Sequence, residues 1–167
     1  DYSKIVDDPN KMPGAKWFPG VRMNYAENLL RIRTEKPAIY FKNENNTTKV
    51  LSYKQLFDSV EKLAFALKDI GVKSGDRVAG FVPNIPETVV AMLSTSAIGA
   101  IWSSSSPDFG IKGVLDRFKQ IKPKILFAAN DYYYNGKKYD LIKNINEILI
   151  ELPTVTKVVI IPYTDND

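Results

Sequence analysis

Cysteine and histidine are both absent from the 167 residues. Without cysteine there are no disulfides, no thiolate nucleophile and no sulfur-ligated zinc. Without histidine there is no imidazole general base, and a common metal ligand is missing. No metal site is therefore expected. No apolar run approaches the roughly 18–20 residues that cross a bilayer, so no membrane partner is expected. The stretch from Asp1 to Pro19 is polar and of mixed charge, without a signal-peptide pattern. Charge of one sign is lacking too: 23 basic and 19 acidic residues leave a net +4. Lysines are scattered and only Lys137-Lys138 stand side by side, so a nucleic-acid-binding stripe is not indicated. Glu27 and Asp58 lack a partner carboxylate in the pattern, which argues against a two-carboxylate hydrolase. Overlapping glycosylation sequons at Asn45-Asn46-Thr47-Thr48 carry meaning only in a secreted chain.

What is present is an ordinary globular composition, 44% hydrophobic and 25% charged, enough for one domain with a real core. Residues 1–23 hold Pro9, Pro13, Gly14, Pro19 and Gly20 and read as looping chain anchored by Trp17 and Phe18. Asn24 is a fair N-cap for a short helix to about Arg31. Strands at 38–41 and 49–52, joined by the polar segment 43–48, predict a hairpin. Ser52-Tyr53-Lys54-Gln55 is a capping-box pattern. The helix after it has Leu56, Phe57, Val60, Leu63, Ala64, Leu67 and Ile70 on one face, with Gly71 suited to end it. From there helix and strand alternate. Strands are expected at 77–82, 100–103, 124–128 and 158–161. Helices are expected from Asn84 to Ile98, with Asn84 as N-cap and Pro86 in the first turn, and around 111–121 and 141–152. Apolar strands with helical crossovers predict an α/β fold: a mostly parallel sheet flanked by helices, preceded by an N-terminal extension and a hairpin.

Two segments are candidates for binding. Ser103-Ser104-Ser105-Ser106-Pro107-Asp108 follows a predicted strand and precedes a helix. Ligands of open α/β sheets bind at the carboxyl ends of the strands. A cap made by Ser106, Pro107 and Asp108 would leave helix N–H groups facing an anion. The plainer alternative, a polar turn with good capping residues, is the weightier on the residues alone. Asp131-Tyr132-Tyr133-Tyr134-Asn135-Gly136-Lys137-Lys138 also follows a strand end. Its aromatics and lysines suit a base and its phosphate, or a solvated loop whose tyrosines pack by their ring faces. Asp116 and Arg117 read as a solvated helix face or an exposed ion pair of little energetic worth. Trp17 and Trp102 read as core aromatics. No nucleophile with a base, and no oxyanion device, is visible, so no catalytic residue is assigned.

Lys16-Trp17-Phe18-Pro19-Gly20, Asn24-Tyr25-Ala26-Glu27-Asn28-Leu29-Leu30 and the run from Ile98 to Phe127, with its Ser-Ser-Pro-Asp-Phe-Gly core, carry a family likeness. So do Tyr53 with Leu56-Phe57, and Gly75-Asp76-Arg77-Val78. Together they resemble the adenylate-forming acyl-CoA synthetases, in particular the branch acting on acetoacetate. The resemblance covers nearly the whole chain. It implies the N-terminal subdomain of the adenylate-forming fold, with residues 1–35 as an extension and 36–167 as the first, incomplete α/β subdomain. It implies a ligase of lipid and fatty acid metabolism, cytoplasmic, using ATP, CoA and Mg²⁺ to convert acetoacetate through an acyl-adenylate into acetoacetyl-CoA. The family's Gly/Ser/Thr-rich phosphate loop and C-terminal catalytic lysine have no counterpart here. The chain is thus expected to be inactive alone and to need the remainder of a synthetase as its partner. In the related acetyl-CoA synthetases, the loop matching Ser106, Pro107 and Asp108 lies near the nucleotide end of CoA. The loop matching Tyr134 and Lys137 meets the CoA 3′-phosphate region. Tyr134 and Lys137 stand where those enzymes carry two arginines, and Pro107-Asp108 stands where a glycine pair is expected. Lys137 keeps the charge without the bidentate fork. Acetate or propionate as substrate, or a non-catalytic α/β binding module, are the alternatives.

Overall fold

Alternating side chains on two central strands divide the interior in two. In a computed structural model, which describes residues 3–163, β3 (Arg77–Phe81) and β5 (Ile125–Ala129) are buried along almost their whole length. Val78, Ile125 and Phe127 face one core, and Ala79, Phe81, Leu126 and Ala128 face the other. Period-two alternation in a strand covered on both faces produces this split.

The sheet has four parallel strands in the order β4-β3-β5-β8, with β4 at Ile101–Ser105 and β8 at Lys157–Ile161. One face is covered by α2 (Tyr53–Asp69) and α3 (Pro86–Ala97), the other by α4 (Gly110–Ile121) and α5 (Ile142–Ile150). A third core joins α1 (Tyr25–Leu29) to α2 and α3 through Ala26, Leu30, Leu56, Val60 and Leu93. The antiparallel hairpin β1 (Pro37–Lys42) and β2 (Thr48–Ser52) packs Ala38 and Ile39 against it. The expected parallel α/β architecture and N-terminal hairpin are therefore present.

Local signals explain several boundaries. Ser52 Oγ accepts from Gln55 N at 3.1 Å, and the Gln55 side chain accepts from Ser52 N at 2.9 Å, so the capping box forms as expected. Gly71 ends α2 with φ +85°, a conformation that costs glycine little. Asn24 caps α1, accepting from Glu27 N at 3.1 Å.

Other expectations need correction. The N-cap of α3 is Ile85, without a side-chain bond, and not Asn84; Pro86 opens the helix with its pre-set φ. Ser103, Ser104 and Ser105 belong to β4, so only Ser106 follows the strand. Segment 131–140 is a second antiparallel hairpin, β6 (Asp131–Tyr134) and β7 (Lys137–Asp140), and not a loop. Trp17 is 64% exposed and anchors no core, though its backbone bridges to Val6. Trp102 is half-buried and packs on Phe127 at 5.9 Å between ring centroids.

Candidate functional site

Neighbouring strands β3 and β5 send their outgoing chains in opposite directions. The chain leaving β3 crosses through α3 to β4, and the chain leaving β5 reaches β8 by way of α5. That divergence opens a crevice beyond their carboxyl ends, the usual ligand position in open parallel sheets. A cavity of about 330 Å³ lies there. Pro83 and Asn84 reach it from beyond β3, Ser106 and Asp108 from beyond β4, and Tyr132, Tyr133 and Tyr134 from β6. Phe41, Lys42, Asn43 and Glu44 close one side from the first hairpin, and Tyr163 closes another from beyond β8.

Ser106 caps a short 3₁₀ turn at Pro107–Phe109, and not α4 itself. Its hydroxyl accepts from Asp108 N at 3.4 Å and donates to Asp108 Oδ2 at 2.7 Å. The helix that follows starts at Gly110 after Phe109, which makes no side-chain cap. The expected anion-facing cap of that helix is therefore replaced by a turn that presents a carboxylate. The Asp108 carboxylate also stands near the Tyr132 hydroxyl. Burial, and then this neighbouring carboxylate, push the Tyr132 phenol up to about 12. The Tyr132 ring stacks on Tyr139 at 5.4 Å, and Tyr133 meets Tyr163 edge-on at 6.5 Å.

The second hairpin turns through Asn135 (φ +51°) and Gly136 (φ +71°). Two residues at positive φ make the tight turn whose twist matches the strands. Tyr134 and Lys137 are therefore direct cross-strand partners. Their side chains share one face. The Glu44 carboxylate accepts from both turn amides, Asn135 N at 3.1 Å and Gly136 N at 2.8 Å.

Of the five residues singled out from sequence, Ser106, Asp108 and Tyr134 line the cavity together. Pro107, between Ser106 and Asp108 in the chain, is buried and not part of the lining. Lys137 is exposed beside Tyr134 and outside the lining. Sequence reasoning missed Glu44 and Tyr163 as parts of the site. Asn135-Gly136, the strongest short hairpin signal, would have located the second hairpin and paired Tyr134 with Lys137. Among the described residues, no group of three His, Cys, Asp or Glu side chains is placed to hold a metal ion. No helix there is long and apolar enough to cross a membrane.

A family model described as AMP-binding enzyme matches residues 27–167, and the chain belongs to that family. Its curated relatives include the acetoacetyl-CoA synthetase of Macaca fascicularis, 43% identical over 99% of this chain and 25% of the relative. The acetoacetyl-coenzyme A synthetase of Rhizobium meliloti is 44% identical over 96% of this chain and 24% of its own length. Among solved structures, acetoacetyl-CoA synthetase from Streptomyces lividans superposes with a TM-score of 0.92 at 42% identity, covering 99% of this chain and 26% of that one. The chain thus spans about a quarter of the length of the relatives it matches.

Proposed function

We propose that this chain is the first subdomain of an acetoacetyl-CoA synthetase, a ligase that joins acetoacetate to CoA at the expense of ATP. The observation that carries the reading is likeness to such synthetases along essentially the whole chain, at 42–44% identity in relatives as distant as a primate and a bacterium. In this reading residues 1–35 form an extension and 36–167 the subdomain proper, within a cytoplasmic enzyme of lipid metabolism.

The cavity beyond β3 and β5 then receives the nucleotide end of CoA. Tyrosine ring faces and hydroxyls suit a purine and its ribose. Lys42 at the rim and Lys137 on the hairpin suit the 3′-phosphate. Ser106 and Asp108 orient the ribose or base by hydrogen bonding, and Pro107 holds their turn. The sequence holds no glycine-rich phosphate cradle, and among the described residues no set of metal-ligating carboxylates comes together. ATP and Mg²⁺ are accordingly assigned to parts of the relatives beyond the quarter matched here. In the longer enzyme ATP would supply the adenylyl group that activates the carboxylate, with pyrophosphate leaving; the CoA thiol would then attack the acyl carbon and release AMP, and Mg²⁺ would offset phosphate charge.

Two measurements test the reading. The 167-residue chain forms no acetoacetyl-CoA from acetoacetate, ATP and CoA; product formation overturns the assignment as an inactive subdomain. In the longer synthetase, Lys137→Ala raises KM for CoA and leaves KM for ATP unchanged. An unchanged KM for CoA removes Lys137 from the site.

A further inference from the structure

Among the described residues, the hairpin that carries Tyr134 and Lys137 is a two-stranded ribbon that pairs with no other strand. Such ribbons are marginal on their own. Its root is well held. Asn130 N donates to Ile161 O at 3.1 Å, Leu141 N donates to Asn130 O at 2.9 Å, and Tyr132 is buried. Its tip has little packing, since Tyr134 is 53% exposed and every residue of β7 is exposed.

Glu44, from the turn between β1 and β2, reaches this tip. Each of its carboxylate oxygens takes one amide of the two-residue turn, Oε1 from Asn135 and Oε2 from Gly136. The central amides of such a turn have no partner in the strand ladder, so an outside acceptor satisfies them. The segment presenting Glu44 is itself ordered by local bonds. Asn43 N donates to Thr47 O at 3.1 Å, and Asn43 Oδ1 accepts from Thr47 N at 2.9 Å. Two hairpins far apart in sequence are thus joined tip to tip by one charge-assisted, two-point bond.

We propose that Glu44 is a positioning residue: its carboxylate clamps the Asn135–Gly136 turn and so sets where Tyr134 and Lys137 stand at the cavity. The clamp is a property of this chain alone; its bearing on CoA rests on the function proposed above. The same bond keeps the two turn amides from serving an incoming phosphate, which leaves phosphate recognition to the lysines.

The test is amide hydrogen exchange followed by NMR on the 167-residue chain and its Glu44→Ala and Glu44→Gln variants. In Glu44→Ala, exchange at Asn135 and Gly136 quickens by about tenfold, the ratio produced by losing one charge-assisted hydrogen bond. The Tyr134 and Lys137 backbone resonances move, while Leu126 and Phe127 in β5 keep their protection. Glu44→Gln, with one acceptor oxygen in place of two, falls between. If β5 loses protection in the alanine variant, the glutamine variant decides. Unchanged exchange at both turn amides, with β5 intact, overturns the clamp. Titrating CoA into the wild-type chain while following Tyr134 tests the binding reading separately, so the two can fail apart. In the longer synthetase, Glu44→Ala raises KM for CoA several-fold and leaves CoA-independent exchange of pyrophosphate into ATP unchanged. Equal KM for CoA, or uniform loss of both activities, overturns the positioning role.

Discussion

The indole of Trp102 lies against the bare backbone of Gly80: a Cβ on that glycine would stand 2.7 Å from two ring carbons. β3 and β4 run side by side here, with Val78 opposite Trp102 and Gly80 opposite Ser104. The ring folds over the neighbouring strand because Gly80 leaves room for it. Glycine in a strand is otherwise a weakness, and close approach of another group is a reason to retain it. Gly80→Ala is expected to destabilise the chain by about 1–3 kcal/mol, the usual cost of overpacking a tight core. Urea unfolding followed by tryptophan fluorescence measures it. In a Trp102→Leu background, followed by circular dichroism, the same change costs less, and the difference is the coupling between the two residues.

Asp76 joins the start of β3 to the start of β5. It accepts from Lys73 N at 2.9 Å and from Lys124 Nζ at 3.0 Å, and Lys124 also donates to Gly71 O at 2.6 Å. The Lys73 amide first, and then the Lys124 ammonium, hold its carboxyl below the usual range. A carboxyl lowered by folding adds stability above its unfolded pKa, and this is lost as pH falls through the lower folded value. Stability should therefore drop on acidification below about pH 4, the ordinary aspartate range. Asp76→Asn should flatten that part of the profile and cost on the order of 1 kcal/mol at neutral pH. Denaturant midpoints across pH 3–7 provide the check.

Tyr132 behaves in the opposite sense. Its phenol is raised to about 12 by burial and by Asp108, so the folded state holds its proton more tightly than the unfolded chain. The resulting stability is complete below the unfolded value near pH 10 and is lost as pH rises towards the folded value. Absorbance of phenolate at alkaline pH should show one of the nine tyrosines ionising late, or only with unfolding. Asp108→Ala should lower its midpoint in part, since burial, the larger cause, remains. A midpoint unaffected by that substitution would contradict the influence of Asp108 on Tyr132.

Ser52 closes the capping box of α2 and also donates to Glu35 Oε2 at 3.0 Å. Ser52→Ala removes both bonds at a buried position. A loss of about 1 kcal/mol is expected, typical of an N-cap deletion. Thermal unfolding by circular dichroism would detect it, and Ser52→Asp should recover part of the loss by restoring an acceptor.

The parallel sheet was legible because β3 and β5 are apolar runs separated by amphipathic helices. Their side chains state the period and the burial at once. The capping box at Ser52 was legible because both its partners lie within four residues. The cap of α3 was misread because Asn84 has the right chemistry one residue too early, and the constraint of Pro86 prevailed. The serine run was misread as a turn because its β-strand conformation follows from pairing with β3, a partner invisible locally. The second hairpin was missed although Asn135-Gly136 states it, because a tyrosine-rich segment drew attention to its rings.

By itself, the sequence determined the layering, the helix starts written in local caps and the absence of thiol and imidazole chemistry. These follow from periodicity, short-range hydrogen bonding and composition, which neighbouring residues encode. Tertiary structure decided which distant groups meet: Glu44 with Asn135 and Gly136, Asp108 with Tyr132, Gly80 with Trp102. Such pairs lie 22 to 92 residues apart. The geometry that unites them is set by strand order and crossover direction, which no local stretch of chain specifies.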